Sequence, residues 1–292
     1  MGTMTKVEEI RQAAWARVRE NALEDAIALF DQALAIADDD EAIELLTINK
    51  AGILIQMELD GPDVQHLPQI LMRRRTPKHT FLAAYHLQQR YNLAKDFKKA
   101  YNYGRVALEA ADRIEEKAWK PRVLNEMGRT CVYDSRIPEA IEAYREALAM
   151  LESFPEDVFA RSFATQNLGY CLVVEGELEE GIETIRQAID LMRAAGAEGY
   201  VAESYIDLCY GYLELGDLES ARKYGEDGLE QATETRQLRN AHYLLGEVAY
   251  KQGDTVSAES HFQNLAKFYP DFPQLKNVLL ALDLRKMVNL KL

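Results

Sequence analysis

The stretch Ser162–Gly181, SFATQNLGYCLVVEGELEEG, carries the plan of the whole chain. Leu168 precedes a small residue, Gly169, and a second small residue, Gly181, stands twelve positions later. Between them, Glu175-Gly176-Glu177 puts a glycine where a helix can end in the left-handed conformation, with an acid beside it to start the next helix. The figure recurs. Ala26, Ala100, Ala140, Gly181, Ala221 and Ala258 each follow, by twelve residues, Ala14, Gln88, Gly128, Gly169, Cys209 and Gly246, and five of those six earlier partners are small. Units therefore begin near Val7, Leu45, Phe81, Pro121, Ser162, Ala202 and Arg239, in steps of 38, 36, 40, 41, 40 and 37 residues. A period close to forty signals a repeat architecture, in which each unit buries its apolar face on its neighbours.

Inside a unit the apolar spacing is helical. Ala140, Ile141, Tyr144, Ala147, Leu148 and Leu151 fall on one face of a helix. Two helices fit per unit, separated by turns such as Leu215-Gly216-Asp217 and Gln252-Gly253-Asp254. No segment alternates apolar and polar residues between Asn-Gly or Asp-Gly turns, so the chain reads as all-α.

At this point the sequence resembles the tetratricopeptide repeat family along nearly its whole length. Leu245, Gly246, Ala249, Ala258, Phe262 and Pro270 stand at the spacing of that family's signature, and Leu124, Met127, Gly128, Ala140, Tyr144 and Ala147 match it well. The resemblance implies an α-solenoid of about seven helix-turn-helix repeats forming one superhelical domain over residues 1–292. The repeats are placed at 7–44, 45–80, 81–120, 121–161, 162–201, 202–238 and 239–272, with a capping helix at 273–292. The units run longer than the family's usual one. The second is degenerate, since Asp60-Gly61-Pro62 and Pro68 interrupt the segment after its first helix.

Charge narrows the function. With 34 Lys plus Arg against 48 Asp plus Glu, the formal net charge is -14, which argues against nucleic acid and against an anionic membrane surface. No apolar run is long enough for a membrane span, and Met1 to Val18 has no signal-peptide pattern. Cys131, Cys171 and Cys209 are odd in number and widely spaced, which suits small buried thiols in a reducing compartment, so a cytoplasmic location is expected.

Catalytic patterns are missing. His66, His79, His86, His242 and His261 are scattered and form no helical metal-binding pair, and the glycines stand singly rather than in phosphate-cradling loops. Paired acids such as Glu179-Glu180 sit at helix ends, where solvated charge is normal. Arg73-Arg74-Arg75 reads as cations complementing a helix C-terminus, with Pro77 marking the stop. No enzyme activity, metal or cofactor is expected.

What remains is a groove. In such an array the first helices line the concave wall, and helical periodicity points certain places of each unit inward. That register gives the candidate peptide-binding residues Tyr85, Gln89, Asn125, Arg129, Tyr133, Gln166, Asn167, Tyr170, Tyr210 and Tyr243, with Asp207, Asn240, Glu247 and Tyr250 among their inward neighbours. Asn and Gln pair with the backbone of an extended peptide, while Tyr and Arg serve as anchors. The family's carboxylate clamp is not reproduced: Asn167 has the right place, but Asn125 and Glu203 replace lysines and Asp207 stands where an arginine would. A neutral or basic segment of another protein is therefore the expected partner. The expected function is a non-enzymatic interaction scaffold or adaptor. The alternative is a ligand- or peptide-responsive regulatory sensor acting on a partner protein. In the capping helix, Leu280, Leu284, Met287 and Val288 form a second apolar stripe, which reads either as an interface for a second copy of the chain or a separate partner, or as a face folded back and buried within one chain.

Overall fold

The computed structural model describes residues 2–20, 22–114 and 119–281. The chain divides into two compact units, Met1–Met127 and Gly128–Leu292. The first contains α1 (Gly2–Arg19), α2 (Leu23–Ile36), α3 (Asp40–Gln56), α4 (Pro62–Arg73), α5 (Pro77–Leu93) and α6 (Phe97–Ala111). The boundary falls within α7 (Trp119–Tyr133). The second unit continues with α8 (Ile137–Leu151), α9 (Val158–Glu175), α10 (Leu178–Ala194), α11 (Val201–Leu215), α12 (Leu218–Gln231), α13 (Thr235–Lys251), α14 (Thr255–Ala266) and α15 (Leu275–Ala281). There is no strand among the described residues. Among the described residues the fold is an all-α solenoid of seven consecutive helix pairs followed by a final helix.

The small residues earn their places by close approach. Ala14, Ala26, Ala100, Ala140, Ala221 and Ala258 are fully buried. At Gly128 an added Cβ would lie 2.6 Å from Cε1 of Tyr144, and at Gly246 it would lie 2.3 Å from Cε1 of Phe262. Gly169 and Gly181 are mutual: a Cβ on either meets the carbonyl oxygen of the other, at 2.9 and 2.8 Å. In the α7–α8, α9–α10 and α13–α14 pairs the second helix thus lies on a notch in the first, and the large side chains Tyr144, Ile185 and Phe262 fill that notch, each being fully buried.

Turns within the pairs follow one plan. Gly176, Gly216 and Gly253 adopt φ of 95°, 86° and 77°, and Lys95 and Ser135 take the equivalent places with φ of 57° and 58°. Asp96, Asp217 and Asp254 then cap the second helices, each accepting from the backbone N–H three residues on at 3.1 Å. Hydrogen bonds from the side chains of Lys99, Ser220 and Ser257, followed by these backbone bonds, hold all three carboxyls below the usual aspartate range.

The second repeat departs from expectation. Instead of being interrupted, α4 runs through Pro68. Pro62 occupies the first helical position, where its missing N–H costs nothing, and Val64, Leu67 and Ile70 form a buried stripe that holds the helix across the bond lost at Pro68. Nor does Pro77 act as a stop. It opens α5, behind an N-cap at Thr76 that accepts from His79 N–H. Of the arginine run, Arg74 leaves α4 in the left-handed conformation, while Arg73 and Arg75 both donate to buried Glu44, at 2.7 and 3.0 Å. The run therefore ties α4 to α3.

Candidate functional site

In the first unit, Tyr85 and Gln89 lie one turn apart on α5 and are half-buried. Tyr85 stacks on Phe81 with ring centres 5.9 Å apart, and Phe81 in turn meets Trp119 edge-on at 5.1 Å. Gln89 Oε1 lies 3.0 Å from His86 Nδ1, and burial lowers the pKa of that imidazole. One turn on, Asn92 donates to Glu126 Oε1 at 2.9 Å, both residues buried. Asn125, half-buried, is the neighbour of Glu126 on α7.

In the second unit, Arg129 and Tyr133 stand half-buried on α7. Gln166 on α9 is only 2% exposed and donates through Nε2 to Asp207 Oδ2 on α11 at 3.1 Å. Its Oε1 has no hydrogen-bond partner among the described residues. Beside this pair, Tyr170 and Tyr210 are buried with ring centres 6.1 Å apart, and the Tyr170 hydroxyl is pushed well above its ordinary pKa by burial and then by the Asp207 charge. Tyr243, Asn240 and Glu247 are buried on α13, Asn167 is half-buried on α9, and Tyr250 is exposed. Arg236 closes on Glu203 at 2.7 Å. Burial works against its charge, but Glu203 outweighs it and raises the arginine pKa.

The structure therefore brings Gln166, Tyr170 and Tyr210 together around Asp207, and links Tyr85 to Gln89 through His86. Tyr170, Tyr210, Tyr243 and Gln166 are walls and floor, whereas Tyr85, Gln89, Asn125, Arg129, Tyr133 and Asn167 keep partial access to solvent. Chemically, the α9, α11 and α13 faces offer acceptors: carboxylates at Glu203, Asp207 and Glu247 among amides at Gln166, Asn167 and Asn240. Such a face suits N–H donors and cations. Nucleophilic chemistry has no support at the cysteines, all three being buried, and burial pushes the Cys131 thiol up to about 11 and Cys209 higher still.

The family profile of the MalT-like TPR region matches residues 127–264, from the end of α7 into α14. Over that range the Gly128–Tyr144, Gly169–Ile185 and Gly246–Phe262 crossings recur in register. These repeats are tetratricopeptide repeats. Among solved structures, the tetratricopeptide array is similar to a Rap protein complexed with competence and sporulation factor, at 15% identity and a TM-score of 0.72, over 96% of this chain and 78% of that one. It is also similar to the Rap conjugation gene regulator of plasmid pLS20 in complex with the Phr* peptide, at 15% identity and a TM-score of 0.61, over 94% of this chain and 78% of that one. A signal transduction ATPase from Pyrococcus horikoshii, with a tetratricopeptide repeat sensor, gives 16% identity and a TM-score of 0.68, over 92% of this chain but 44% of that one. At these identities the likeness is one of fold. No curated protein sequence matches significantly.

Two features of the tetratricopeptide array escaped sequence reasoning. Arg236 precedes the register used to find inward residues, and only the acids at Glu203 and Asp207 hinted that a cation would be drawn to them. His242 and His261, read as scattered, meet within the last repeat with Nδ1 atoms 3.1 Å apart. The candidate interface falls elsewhere: the side chain of Leu280, and Leu284, Met287 and Val288, lie outside the described residues.

Proposed function

We propose that this tetratricopeptide array is a non-enzymatic scaffold that binds a peptide segment of a partner protein on the face of its first helices, in the cytoplasm. The observation that carries this is the Gln166–Asp207 pair. It combines a buried amide oxygen lacking a donor with a buried carboxylate, walled by Tyr170 and Tyr210. An unmet acceptor in such a place costs on the order of 1–3 kcal/mol, which a ligand N–H recovers on binding. The carboxylates Asp207 and Glu247 on this face, beside a Glu203 already paired with Arg236, favour a neutral or basic segment. The similar Rap structures hold competence and sporulation factor in one case and the Phr* peptide in the other, which supports ligand binding as the use of the fold here.

The experiment is set by burial. Tyr170, Tyr210 and Gln166 cannot be truncated without disturbing the helix layer, so the informative positions are the accessible Asn125, Arg129, Tyr133 and Asn167. Each replaced by Ala should weaken binding of a partner captured by affinity purification, by about 1 kcal/mol or more at the best anchors, with helical signal and melting temperature unchanged. If all four variants bind as the parent does, the segment binds elsewhere.

A second reading, the ligand- or peptide-responsive sensor, draws on the burial of Tyr170, Tyr210 and Tyr243. A ligand that drives a side chain between these tyrosines, beyond placing an N–H donor at the Gln166–Asp207 pair, has to part the first helices, so its binding is coupled to a change of shape. Small-angle scattering with and without the captured partner's binding segment separates the readings: an unchanged radius of gyration favours the scaffold and a changed one the sensor.

A further inference from the structure

Tyr205, Leu208 and Tyr212 of α11 fall, at about 100° per residue, on the side of that helix opposite Ile206, Asp207 and Tyr210. There, between α10 and α12, lies a cleft of about 470 Å³ floored by Tyr205 and Leu208. The Tyr224 ring from α12 stacks against Tyr205 at 6.1 Å and Tyr212 at 5.4 Å, so three tyrosines bridge the two helices. Two arginines of α10 meet this stack. Arg193 donates to the Tyr205 hydroxyl at 2.6 Å and Arg186 to the Tyr224 hydroxyl at 3.4 Å, while Lys223 lies over the Tyr224 ring at 5.6 Å.

These cations differ from those that tie helices together elsewhere in the chain. Lys50, Arg75, Arg136 and Arg236 each hold a carboxylate at 3.0 Å or closer. In the cleft, Arg186 and Lys223 make no ion pair among the described residues, and Arg193 reaches Asp190 only at 3.9 Å. A protein with a net charge of -14 thus leaves Arg186 and Lys223 without an ion pair, and Arg193 with one long contact, around a cavity that Glu183, Asp190 and Asp227 also line. The tyrosine hydroxyls orient the guanidiniums without cancelling their charge, and each hydroxyl keeps its own proton to donate.

We infer that this cleft is a second docking site, for an acidic α-helical segment of a partner protein whose carboxylates, two helical turns apart, meet Arg186 and Arg193, with Lys223 on the opposite wall. Arg186 and Arg193 are seven residues apart on one helix, about 10.5 Å along its axis at 1.5 Å per residue. Acids seven apart on a partner helix lying along α10 repeat that spacing. Glu183, Asp190 and Asp227 also line the cleft and repel acids set at other places, so the register of charge, and not its total, decides what binds. This site is independent of the first-helix face, which favours the opposite charge. A chain using both holds two partners of unlike chemistry on opposite sides of one helix.

The test uses the full chain at low ionic strength and three fluorescein-labelled, alanine-based helical peptides: one with glutamates seven residues apart, one with those glutamates changed to glutamine, and one with the same glutamates placed side by side. Fluorescence anisotropy should show binding of the first and at least tenfold weaker binding of the other two. The double variant Arg186→Gln, Arg193→Gln should bind the first peptide at least tenfold more weakly. Arg186→Lys, Arg193→Lys should retain most of the affinity, and Asn167→Ala should retain all of it, since that residue belongs to the other face. If the glutamine pair unfolds, Lys223→Glu at an exposed position reports on the charge alone and should also weaken binding. Absent binding of the first peptide, equal binding of the side-by-side peptide, or undiminished binding by the glutamine pair or Lys223→Glu would overturn the inference.

Discussion

Gly169 and Gly181 show at single residues what the repeat demands. An added Cβ at Gly169 would stand 2.9 Å from both the Gly181 carbonyl oxygen and the Ile185 backbone nitrogen, atoms that cannot swing aside as a side chain can. Gly169→Ala is therefore expected to lose about 1–3 kcal/mol in urea unfolding, and an unchanged midpoint would show that the helices cross less closely. The His242–His261 pair makes a different prediction. Only one proton fits between two Nδ1 atoms 3.1 Å apart, and burial, reinforced at His242 by the charge of His261, lowers both pKa values. Lys267 faces His242 and opposes its charge; at His261, Arg222 opposes while Glu226 and Asp254 favour protonation. The unfolded chain, with histidines near their ordinary value of about 6.5, binds more protons than the folded one as pH falls through and below that value. Stability is thus present above it and lost towards acid. Melting at pH 7.5 and 5.0 should show a drop that shrinks in His242→Asn; an equal drop in both would assign the acid sensitivity to other groups.

Among the elements, the turn between paired helices is the place where residue choice and backbone disagree. Glycine supplies the left-handed residue in three turns, yet Lys95 and Ser135 adopt the same conformation, at φ of 57° and 58°, against the steric preference of a side chain. The conformation costs an L-residue roughly 1–2 kcal/mol. Lys95→Gly and Ser135→Gly should each raise stability, by about 0.5–1 kcal/mol after the greater entropy of unfolded glycine is deducted. Gly176→Ala should lower it by about 1 kcal/mol, and nothing crowds that site sterically, so the loss would report backbone conformation alone. Should the three substitutions shift denaturation midpoints in the same direction, the turns are not equivalent. Such places are legible in sequence only where glycine marks them; at Lys95 and Ser135 the following residues and the helical period locate the turn, but nothing reveals its handedness.

For the whole molecule, the proposal that Leu280, Leu284, Met287 and Val288 join two copies rests on their spacing and is open to light scattering. A dimer of the intact chain that becomes a monomer in Leu280→Glu, Leu284→Glu, with the melting temperature kept, is the expected result. A monomer in both, with a large loss of stability in the variant, would place the stripe inside one chain. Periodicity alone determined the all-α class, the seven helix pairs and the small residues at every crossing but that of Gln88, because these depend on neighbours twelve residues apart in a repeating frame, and a repeat states its own contacts many times over. Tertiary structure alone decided the rest. That Tyr170, Tyr210 and Tyr243 are closed off while Asn167 stays accessible depends on how tightly adjacent first helices pack, which register does not measure. That Arg73 and Arg75 converge on Glu44, that α4 continues through Pro68, and that Arg186 and Arg193 face tyrosines rather than acids are facts about partners on other helices. A side chain's charge is written in the sequence, but whether that charge is neutralised depends on what the fold brings within about 4 Å of it.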